Sequence, residues 1–402
     1  MEVHGSCDPQ FQHVRQEFER NFREGGEVGA SVCVTLRGQT VVDLWGGIAR
    51  PETQTPWTAE TISIVFSSTK GATALCAHIL ASRGQLDLDA PVSTYWPEFA
   101  QAGKAQIPVK MLLNHQAGLP AVRAPLPQGA YANWDLMVNA LAKEEPFWEP
   151  GTRNGYHALT IGWLVGEVVR RVSGKSLGTF FRDEVAKPLG LDFWIGLPED
   201  KETRVAPMIA AAPDTNSLLY HEMIKPGSLA SLAILNSGGY MGAKPEYDLR
   251  AAHAAEIGGA GGITNARGLA GMYAPLACGG TLKGVTLVNP DSLVRMGVVA
   301  SATGRDAVLV MPSRFALGYM KSMDNRRAPA GARESAIMAE DAFGHVGAGG
   351  SLGFADPKAG MSFGYTMNRM GSGTLLTDRG QSLVDATYRA LGYQSDVSGA
   401  WR

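Results

Sequence analysis

The chain has 402 residues, a length that suits one or two domains rather than a single small core. It carries 36 basic and 38 acidic residues, with neither a basic patch nor an acidic tail, which argues against nucleic acid or an anionic membrane as a partner. No run approaches the roughly 18 apolar residues of a membrane-spanning helix, so the sequence predicts no membrane span.

The N-terminus and the cysteines bear on the cellular compartment. The first eight residues have neither a basic start nor an apolar run and do not resemble a secretory signal, although a signal removed beforehand would leave the same picture. The four cysteines have no Cys-x-x-Cys spacing, which predicts free thiols in a reducing compartment. We therefore expect a cytoplasmic protein.

The first elements along the chain are predicted to be a helix and a hairpin. Apolar residues at three- and four-residue steps predict a helix over 11–22. Residues 29–36 and 41–45 are rich in β-branched and apolar side chains and flank a glycine-containing turn. This pattern predicts a β-hairpin that Gly46 and Gly47 end.

A strand followed by a helix is predicted next. Residues 61–66 are β-branched and apolar, which is typical of a buried strand. Between Ala72 and Leu80, apolar residues recur at i, i+3, i+4, i+7 and i+8, the pattern of one helix face. The helix is predicted to begin at Ser67 and to end near Gly84.

The middle of the chain is predicted to be helical, and strands return towards its end. Helices are predicted over 134–142, 157–172 and 177–185. Late strands are predicted at 315–320, 343–347, 351–355 and 361–368, and the last helix is predicted at 381–391.

Strands at both ends of the chain predict an α/β (α+β) fold, an antiparallel sheet flanked by helices with an inserted all-helical domain. The sheet domain is predicted to comprise residues 1–75 and 230–402. Residues 76–229 are predicted to form the mainly helical inserted domain. We expect the active-site cleft between these two parts.

The stretch from Ser67 to Lys70 carries the strongest chemical signal. It forms a Ser-x-x-Lys motif at the predicted start of a helix, where Lys70 follows Ser67 by one turn on the same face. A serine hydroxyl is a weak nucleophile until a neighbouring base takes its proton, and a helix N-terminus favours negative charge on its oxygen. A helix cap followed by a solvated lysine would, however, give the same short pattern.

Two later segments add candidate site residues. Tyr156 lies where a turn-rich loop meets a predicted helix, and the charge of a nearby Lys70 would lower its pKa and make phenolate available as a base. Gly347 would let its strand approach a ligand closely. The N–H groups of Ala348 and Ser67 are candidate oxyanion donors. A tyrosine that only anchors its loop and a glycine-rich strand beside a hairpin are the alternatives.

The order of these motifs resembles that of a known superfamily. Three motifs carry the resemblance: Ser67-x-x-Lys70, then Tyr156, then His345-x-Gly347. This arrangement is similar to that of serine β-lactamases and penicillin-binding proteins, and within them to the class C β-lactamase-like family VIII carboxylesterases. Flanking segments at 113–119 and 150–152 extend the resemblance, which spans nearly the whole chain.

The resemblance implies a β-lactamase/transpeptidase-like fold and a serine hydrolase that uses neither a cofactor nor a metal. The resulting roles are catalysis for Ser67, Lys70 and Tyr156, an oxyanion hole from the N–H groups of Ser67 and Ala348, and substrate binding for His345 and Gly347. Which of Lys70 and Tyr156 holds the proton at each step stays open, because the pKa values of a coupled pair belong to the pair.

The chain departs from the β-lactamase pattern at two positions. Ala158 stands where these enzymes carry the asparagine of Tyr-x-Asn, and His345 replaces the lysine of Lys-Thr-Gly. A histidine is a poorer anchor than a lysine for a substrate carboxylate at pH 7. We therefore expect a serine carboxylesterase that hydrolyses small carboxylic esters through an acyl-enzyme on Ser67.

Several alternatives stay open. The same scaffold could serve a β-lactamase, a D-amino-acid peptidase, an amide hydrolase, an acyltransferase or a non-catalytic binding protein. Ser176 and Ser351 each lie in a Gly-x-Ser-x-Gly match, but neither has the strand–turn–helix context of an α/β-hydrolase nucleophile. His115 and the pair His221 and Glu222 lack metal-ligand spacing, so no metal site is predicted. No pattern predicts an oligomeric state.

Overall fold

A computed structural model describes residues 2–402 and shows helices combined with antiparallel sheet. The strands are β1 (Val3–Cys7), β2 (Gly29–Leu36), β3 (Gln39–Arg50), β4 (Thr55–Pro56), β5 (Ser63–Ile64), β6 (Phe193–Ile195), β7 (Gly262–Thr264), β8 (Thr281–Leu282), β9 (Val285–Thr286), β10 (Ser301–Thr303), β11 (Ser313–Phe315), β12 (Phe343–Val346), β13 (Leu352–Asp356) and β14 (Met361–Met367). The α-helices are α1 (Gln12–Arg23), α2 (Thr69–Ser82), α3 (Val109–Leu113), α4 (Trp134–Lys143), α5 (Thr160–Ser173), α6 (Leu177–Phe181), α7 (Lys187–Leu189), α8 (Leu218–Met223), α9 (Leu229–Leu235), α10 (Arg250–Ala254), α11 (Ala266–Ala277), α12 (Pro290–Gly297) and α13 (Asp378–Ala390).

The main sheet has seven strands and joins the two ends of the chain. Its order is β1-β3-β2-β14-β13-β12, with β4 paired to β3, and neighbouring strands are antiparallel. Val32 of β2 lies opposite Leu44 on one side and Tyr365 on the other. The N-terminal hairpin therefore shares one sheet with the C-terminal strands, as the sequence predicts.

Helices cover both faces of this sheet. Helix α11 packs on β2, β13 and β14. Gly364 permits this close approach, because a Cβ there would lie 2.2 Å from the Ala266 carbonyl oxygen. On the other face, Tyr388 of α13 stacks on Phe354 with ring centroids 6.2 Å apart, and α13 packs against α1. The sheet is thus buried between two helical layers.

The part of the chain between the two halves of the sheet is not entirely helical. Residues Phe193–Ile195 form β6, which pairs with β7, and β7 pairs with β5 in a small three-stranded sheet. The prediction of an all-helical insert is therefore wrong at this point, because pairing with β7 stabilises an extended run that is too short to predict from sequence alone. The predicted limits at 75/76 and 229/230 lie inside α2 and α9, and the division into two domains stays a prediction.

Two local predictions also differ from the structure. Strand β3 continues through Gly46 and Gly47 to Arg50, because Gly46 pairs with Val3 and Ala30 in the neighbouring strands. The strand before Ser67 contains only two residues of β5. In residues 2–402 all four cysteines are free thiols, and no helix is long and apolar enough to cross a membrane.

A buried ion pair ties the segment before β2 to the last helix. The Glu27 carboxylate accepts a hydrogen bond of 2.7 Å from Arg379 and another from the Tyr365 hydroxyl. The Glu27 side chain is 0% exposed and that of Arg379 is 8% exposed. Burial raises the pKa of Glu27, and the Arg379 charge opposes this rise. The pair therefore links α13 to the residues just before β2.

Glu27→Ala is expected to lower the free energy of unfolding by about 3 kcal/mol, because it leaves the Arg379 charge buried without its partner. Urea-induced unfolding measures the change. Glu19→Ala is the control, since it removes an exposed partner of Arg15 and is expected to cost less than about 1 kcal/mol. Equal losses for the two variants would contradict the structural role of the buried pair.

Candidate active site

Ser67 lies in a tight turn between β5 and α2. The preceding residue, Phe66, has φ of +41°, a left-handed conformation that a bulky residue rarely adopts. The Thr69 hydroxyl donates to the Phe66 carbonyl at 2.5 Å and accepts from the Gly262 N–H at 2.8 Å. These bonds hold the strained turn in place. They put Ser67 at the wall of a cavity, just before the first turn of α2.

Lys70 is held directly beside Ser67. Its Nζ lies 2.8 Å from the Ser67 Oγ and donates to the carbonyls of Ala158 and Gly259, each at 2.7 Å. The side chain is fully buried, and burial lowers its pKa well below the ordinary lysine value. A neutral amine would give its two protons to the carbonyls and its lone pair to the Ser67 hydroxyl, which is the geometry of a general base.

Tyr156 packs over the same amine. The Lys70 Nζ lies 4.7 Å from the centre of the phenol ring. Burial raises the pKa of Tyr156 above its ordinary value, the Ser67 hydroxyl lowers it in part, and the charge of Asp306 adds to the rise. The predicted lowering of the Tyr156 pKa is wrong, because burial of the phenol is the largest cause and raises this pKa, and burial of Lys70 disfavours the charge that would have lowered it. The favoured form of Tyr156 is therefore the phenol, a proton donor.

The two predicted oxyanion donors share the cavity. Both Ser67 and Ala348 line it. In the described part of the chain, neither backbone N–H has a protein acceptor, whereas the neighbouring Gly347 N–H donates to the Ser351 carbonyl at 2.7 Å. Two unpaired N–H groups beside a nucleophile satisfy the chemical requirement for stabilising an oxyanion. Their role stays a prediction.

His345 lies against Tyr156 and outside the cavity wall. Their ring centroids are 6.1 Å apart, and His345 is buried. Its Nδ1 lies 2.7 Å from the Val346 carbonyl and so carries the proton, which leaves Nε2 as an acceptor without a partner in residues 2–402. Burial lowers the pKa of His345 to about 3, so the ring is neutral near pH 7.

Gly347 has a packing reason to be glycine. A Cβ at this position would lie 2.1 Å from the Val65 carbonyl oxygen, so the glycine permits contact with the strand that leads to Ser67. Neither Gly347 nor His345 is among the residues that line the cavity. The structure thus gives Gly347 a packing reason, close approach to backbone, beside the predicted approach to a ligand. Substrate binding by the two residues stays a prediction.

An apolar cavity of about 520 Å³ opens at Ser67. Side chains from α8 and α9 and from the segments after them supply one wall, among them Leu219, Met223, Ile234, Met241 and Tyr247. The charged residues on its lining are Asp214 and Glu334, and no lysine or arginine of residues 2–402 lines it. A more polar cavity of about 960 Å³ shares residues 370–373 but contains neither Ser67 nor Tyr156, so the apolar cavity is the candidate active site.

The alternative serines have structural roles. The Ser176 hydroxyl accepts from the Thr179 N–H at 3.3 Å and caps α6. The Ser351 hydroxyl donates to the Val65 carbonyl at 2.8 Å and lies 3.2 Å from the Ser68 hydroxyl. Neither serine lines the cavity. Over residues 2–402, no cluster of side chains has the arrangement of a metal site.

Sequence reasoning missed two residues that surround Tyr156. The His115 ring lies 4.9 Å from the Tyr156 ring, and its Nδ1 accepts from the His157 N–H at 3.1 Å. The Asp306 carboxylate accepts from the Tyr156 N–H at 2.9 Å. The turn-rich sequence around His115 is the signal that could have drawn attention to this loop. In the structure His115 has a left-handed backbone conformation, with φ of +65°. No spacing connects Asp306 to Tyr156, so no pattern could have found that contact.

Comparison with known proteins identifies the family. A family model described as Beta-lactamase matches residues 16–387. The chain belongs to the beta-lactamase family. This beta-lactamase family member is 35% identical to the Esterase/beta-lactamase LipL of Mycobacterium tuberculosis over 393 residues, which cover 94% of this chain and 85% of that protein.

Solved structures agree with this placement. A family VIII carboxylesterase is 38% identical to this family member, with a TM-score of 0.85 over 97% of this chain and 100% of that one. EstA from Arthrobacter nitroguajacolicus Rue61a is 31% identical, with a TM-score of 0.84 over 98% and 99% of the two chains. The predicted superfamily and fold class are confirmed, and the protein is a serine hydrolase of the beta-lactamase-like type.

A fluorophosphonate probe is expected to label Ser67, because the hydroxyl has a neutral amine beside it and opens to the cavity. Peptide mapping by mass spectrometry locates the label. Ser67→Ala is expected to abolish labelling, and Ser176→Ala, which removes a helix cap and a hydrogen bond to Glu256 away from the cavity lining, is expected to retain it. A label on Ser351 in the wild type would contradict the assignment.

Proposed function

We propose that this protein is a serine carboxylesterase that hydrolyses small, uncharged esters through an acyl-enzyme on Ser67. One observation carries the proposal: the Lys70 Nζ lies 2.8 Å from the Ser67 Oγ at the opening of an apolar cavity. The names of the relatives, an esterase/beta-lactamase and a family VIII carboxylesterase, support the same chemistry.

The first half of the reaction forms the acyl-enzyme. Neutral Lys70 takes the proton of Ser67, and the Ser67 Oγ attacks the ester carbonyl carbon. The N–H groups of Ser67 and Ala348 stabilise the tetrahedral oxyanion. When the intermediate collapses, the bond to the alcohol oxygen breaks, and a proton from the Tyr156 phenol or the Lys70 ammonium goes to the leaving alkoxide.

The second half releases the acid. A water molecule gives a proton to the restored base of the Lys70 and Tyr156 pair and attacks the acyl carbon. The same N–H groups stabilise the second oxyanion. The bond to the Ser67 Oγ then breaks, Ser67 regains its proton, and the carboxylic acid leaves. Each proton taken during attack is returned to a leaving oxygen, so the enzyme ends in its starting state.

The charges around the cavity support an uncharged ester over a β-lactam or a D-alanyl peptide. Those alternatives carry a carboxylate, and no lysine or arginine of residues 2–402 lines the cavity. The position that would provide a lysine holds His345, whose low pKa leaves it neutral. Asp214 and Glu334 on the lining would repel a carboxylate further. The four free cysteines support a cytoplasmic location as part of this proposal.

Ser67→Ala is expected to reduce kcat on p-nitrophenyl butyrate by a factor on the order of 10⁴ or more, because no acyl-enzyme can form. Initial rates at matched enzyme concentration measure it, with Ser176→Ala as the control that retains activity. A chromogenic cephalosporin assayed in parallel is expected to be a much poorer substrate. Near-normal ester hydrolysis by Ser67→Ala would refute the proposal. Faster turnover of the cephalosporin than of the ester would indicate that the substrate is a β-lactam.

The pH dependence of kcat/KM is expected to follow the proton on Lys70. Below its pKa the amine is protonated and cannot act as a base, so kcat/KM falls as the pH falls and rises to a plateau above that pKa. Since burial lowers the pKa of Lys70 well below 10.5, the plateau is expected to begin well below pH 10.5. Rates on p-nitrophenyl butyrate from acidic to alkaline pH measure the profile. A kcat/KM that rises only near the ordinary lysine pKa would contradict a neutral Lys70.

A further inference from the structure

A buried carboxylate contacts the backbone of Tyr156 from a distant part of the chain. Asp306 is 0% exposed and follows β10. Its Oδ1 accepts from the N–H groups of Tyr156 at 2.9 Å, Val308 at 2.9 Å and Leu309 at 3.0 Å. Its Oδ2 accepts from the Ser313 hydroxyl at 3.1 Å. One side chain therefore joins the loop after β10 to the start of the segment that carries Tyr156.

A second contact runs alongside the first. The Ala307 N–H donates to the Asn154 carbonyl at 2.9 Å. A Cβ on Gly155 would lie 3.1 Å from the Ala307 Cβ, so the two loops are packed closely. Leu309, which the same carboxylate holds through its N–H, lines the catalytic cavity. Asp306 thus organises both the tyrosine and part of the cavity wall beside it.

The burial of this carboxylate requires an explanation. A carboxylate without contact to water is costly unless its oxygens accept hydrogen bonds, and all four of its donors are neutral groups. Burial raises the pKa of Asp306, and the hydrogen bonds oppose the rise. The other ionisable groups against Tyr156 are Lys70, His115 and His345, and burial lowers the pKa of each. Burial thus disfavours the positive charge on each neighbour that could offset the charge of Asp306.

We propose that Asp306 is a positioning residue for the reaction: its carboxylate holds the Tyr156 backbone so that the phenol stays beside Ser67 and Lys70. The inference rests on the proposed function, since it assigns Tyr156 a part in proton transfer. A displacement of a reacting group by about 1 Å can cost about 100-fold in rate. A contact at 2.9 Å to the tyrosine's own N–H is suited to prevent such a displacement.

Asp306→Ala is expected to lower kcat on p-nitrophenyl butyrate about 100-fold and to change KM much less, because the phenol loses its place while Leu309 is one of many residues that line the cavity. Asp306→Asn is expected to restore most of kcat, since its carbonyl oxygen can accept from the Tyr156 N–H. In a Tyr156→Phe background, Asp306→Ala is expected to have little further effect, because the group it positions is already absent.

Asp356→Ala is the matched control. Asp356 is another buried aspartate, which accepts from the Ala359 N–H at 3.0 Å and from the Tyr388 hydroxyl at 3.1 Å, and it does not line the cavity. It is expected to lower the thermal stability while leaving kcat of the folded enzyme unchanged. An equal fall in kcat for this variant would overturn the proposal. So would an Asp306→Ala loss that is as large in the Tyr156→Phe background as in the wild type.

Two further measurements keep the outcome interpretable. If Asp306→Ala does not fold, Asp306→Ser is used in its place in the double-mutant comparison with Tyr156→Phe, since a hydroxyl can accept from some of the donors. The rate at which a fluorophosphonate labels Ser67 is measured for every variant. A wild type that labels normally but hydrolyses no ester refutes the proposed substrate, and the labelling rates then decide Asp306 by the same test: non-additivity with Tyr156→Phe supports it, and additivity overturns it.

Discussion

The burial of Lys70 is the constraint on which the active site depends. The amine is enclosed without a carboxylate among its hydrogen-bond partners, which are the Ser67 hydroxyl and two backbone carbonyls. Desolvation therefore lowers its pKa and favours the neutral form, which is the form that can accept a proton. Burial of the Tyr156 and His345 side chains likewise favours the phenol form of Tyr156 and the neutral ring of His345. The short distance between Lys70 and Ser67 and the low polarity around them therefore favour Lys70 as the base and Ser67 as the nucleophile, without an ionised partner for Lys70.

The fold positions the nucleophile turn by joining two distant segments. Ser351, directly before β13, donates to the Val65 carbonyl just before the nucleophile turn. The Ser68 hydroxyl donates to the His345 carbonyl at 3.1 Å, and Gly347 allows the two backbones to approach. These contacts hold the turn that carries Ala348 against the turn that carries Ser67. The separation of the two candidate oxyanion donors is thereby set by backbone packing.

Much of the local structure follows from patterns in the chain. Alternation and composition predict β2 with the limits that the structure shows, and helical periodicity predicts α1, α4 and α13 within a few residues. The errors have physical causes. Strand β3 extends through Gly46 because its neighbours pair with it on both sides, and β6 exists because β7 offers it an edge. Pairing of this kind depends on residues far away in the chain.

The sequence by itself determined the order of the chemical groups: a Ser-x-x-Lys motif at a strand–helix junction, a tyrosine at a loop end and a His-x-Gly in a late strand. Helix spacing alone places Lys70 near Ser67. Only the tertiary structure decided their protonation, because desolvation depends on what encloses a group and not on its neighbours in sequence. It also decided the contact between Asp306 and Tyr156, since a hydrogen bond between two loops leaves no periodic or spacing signal in the chain.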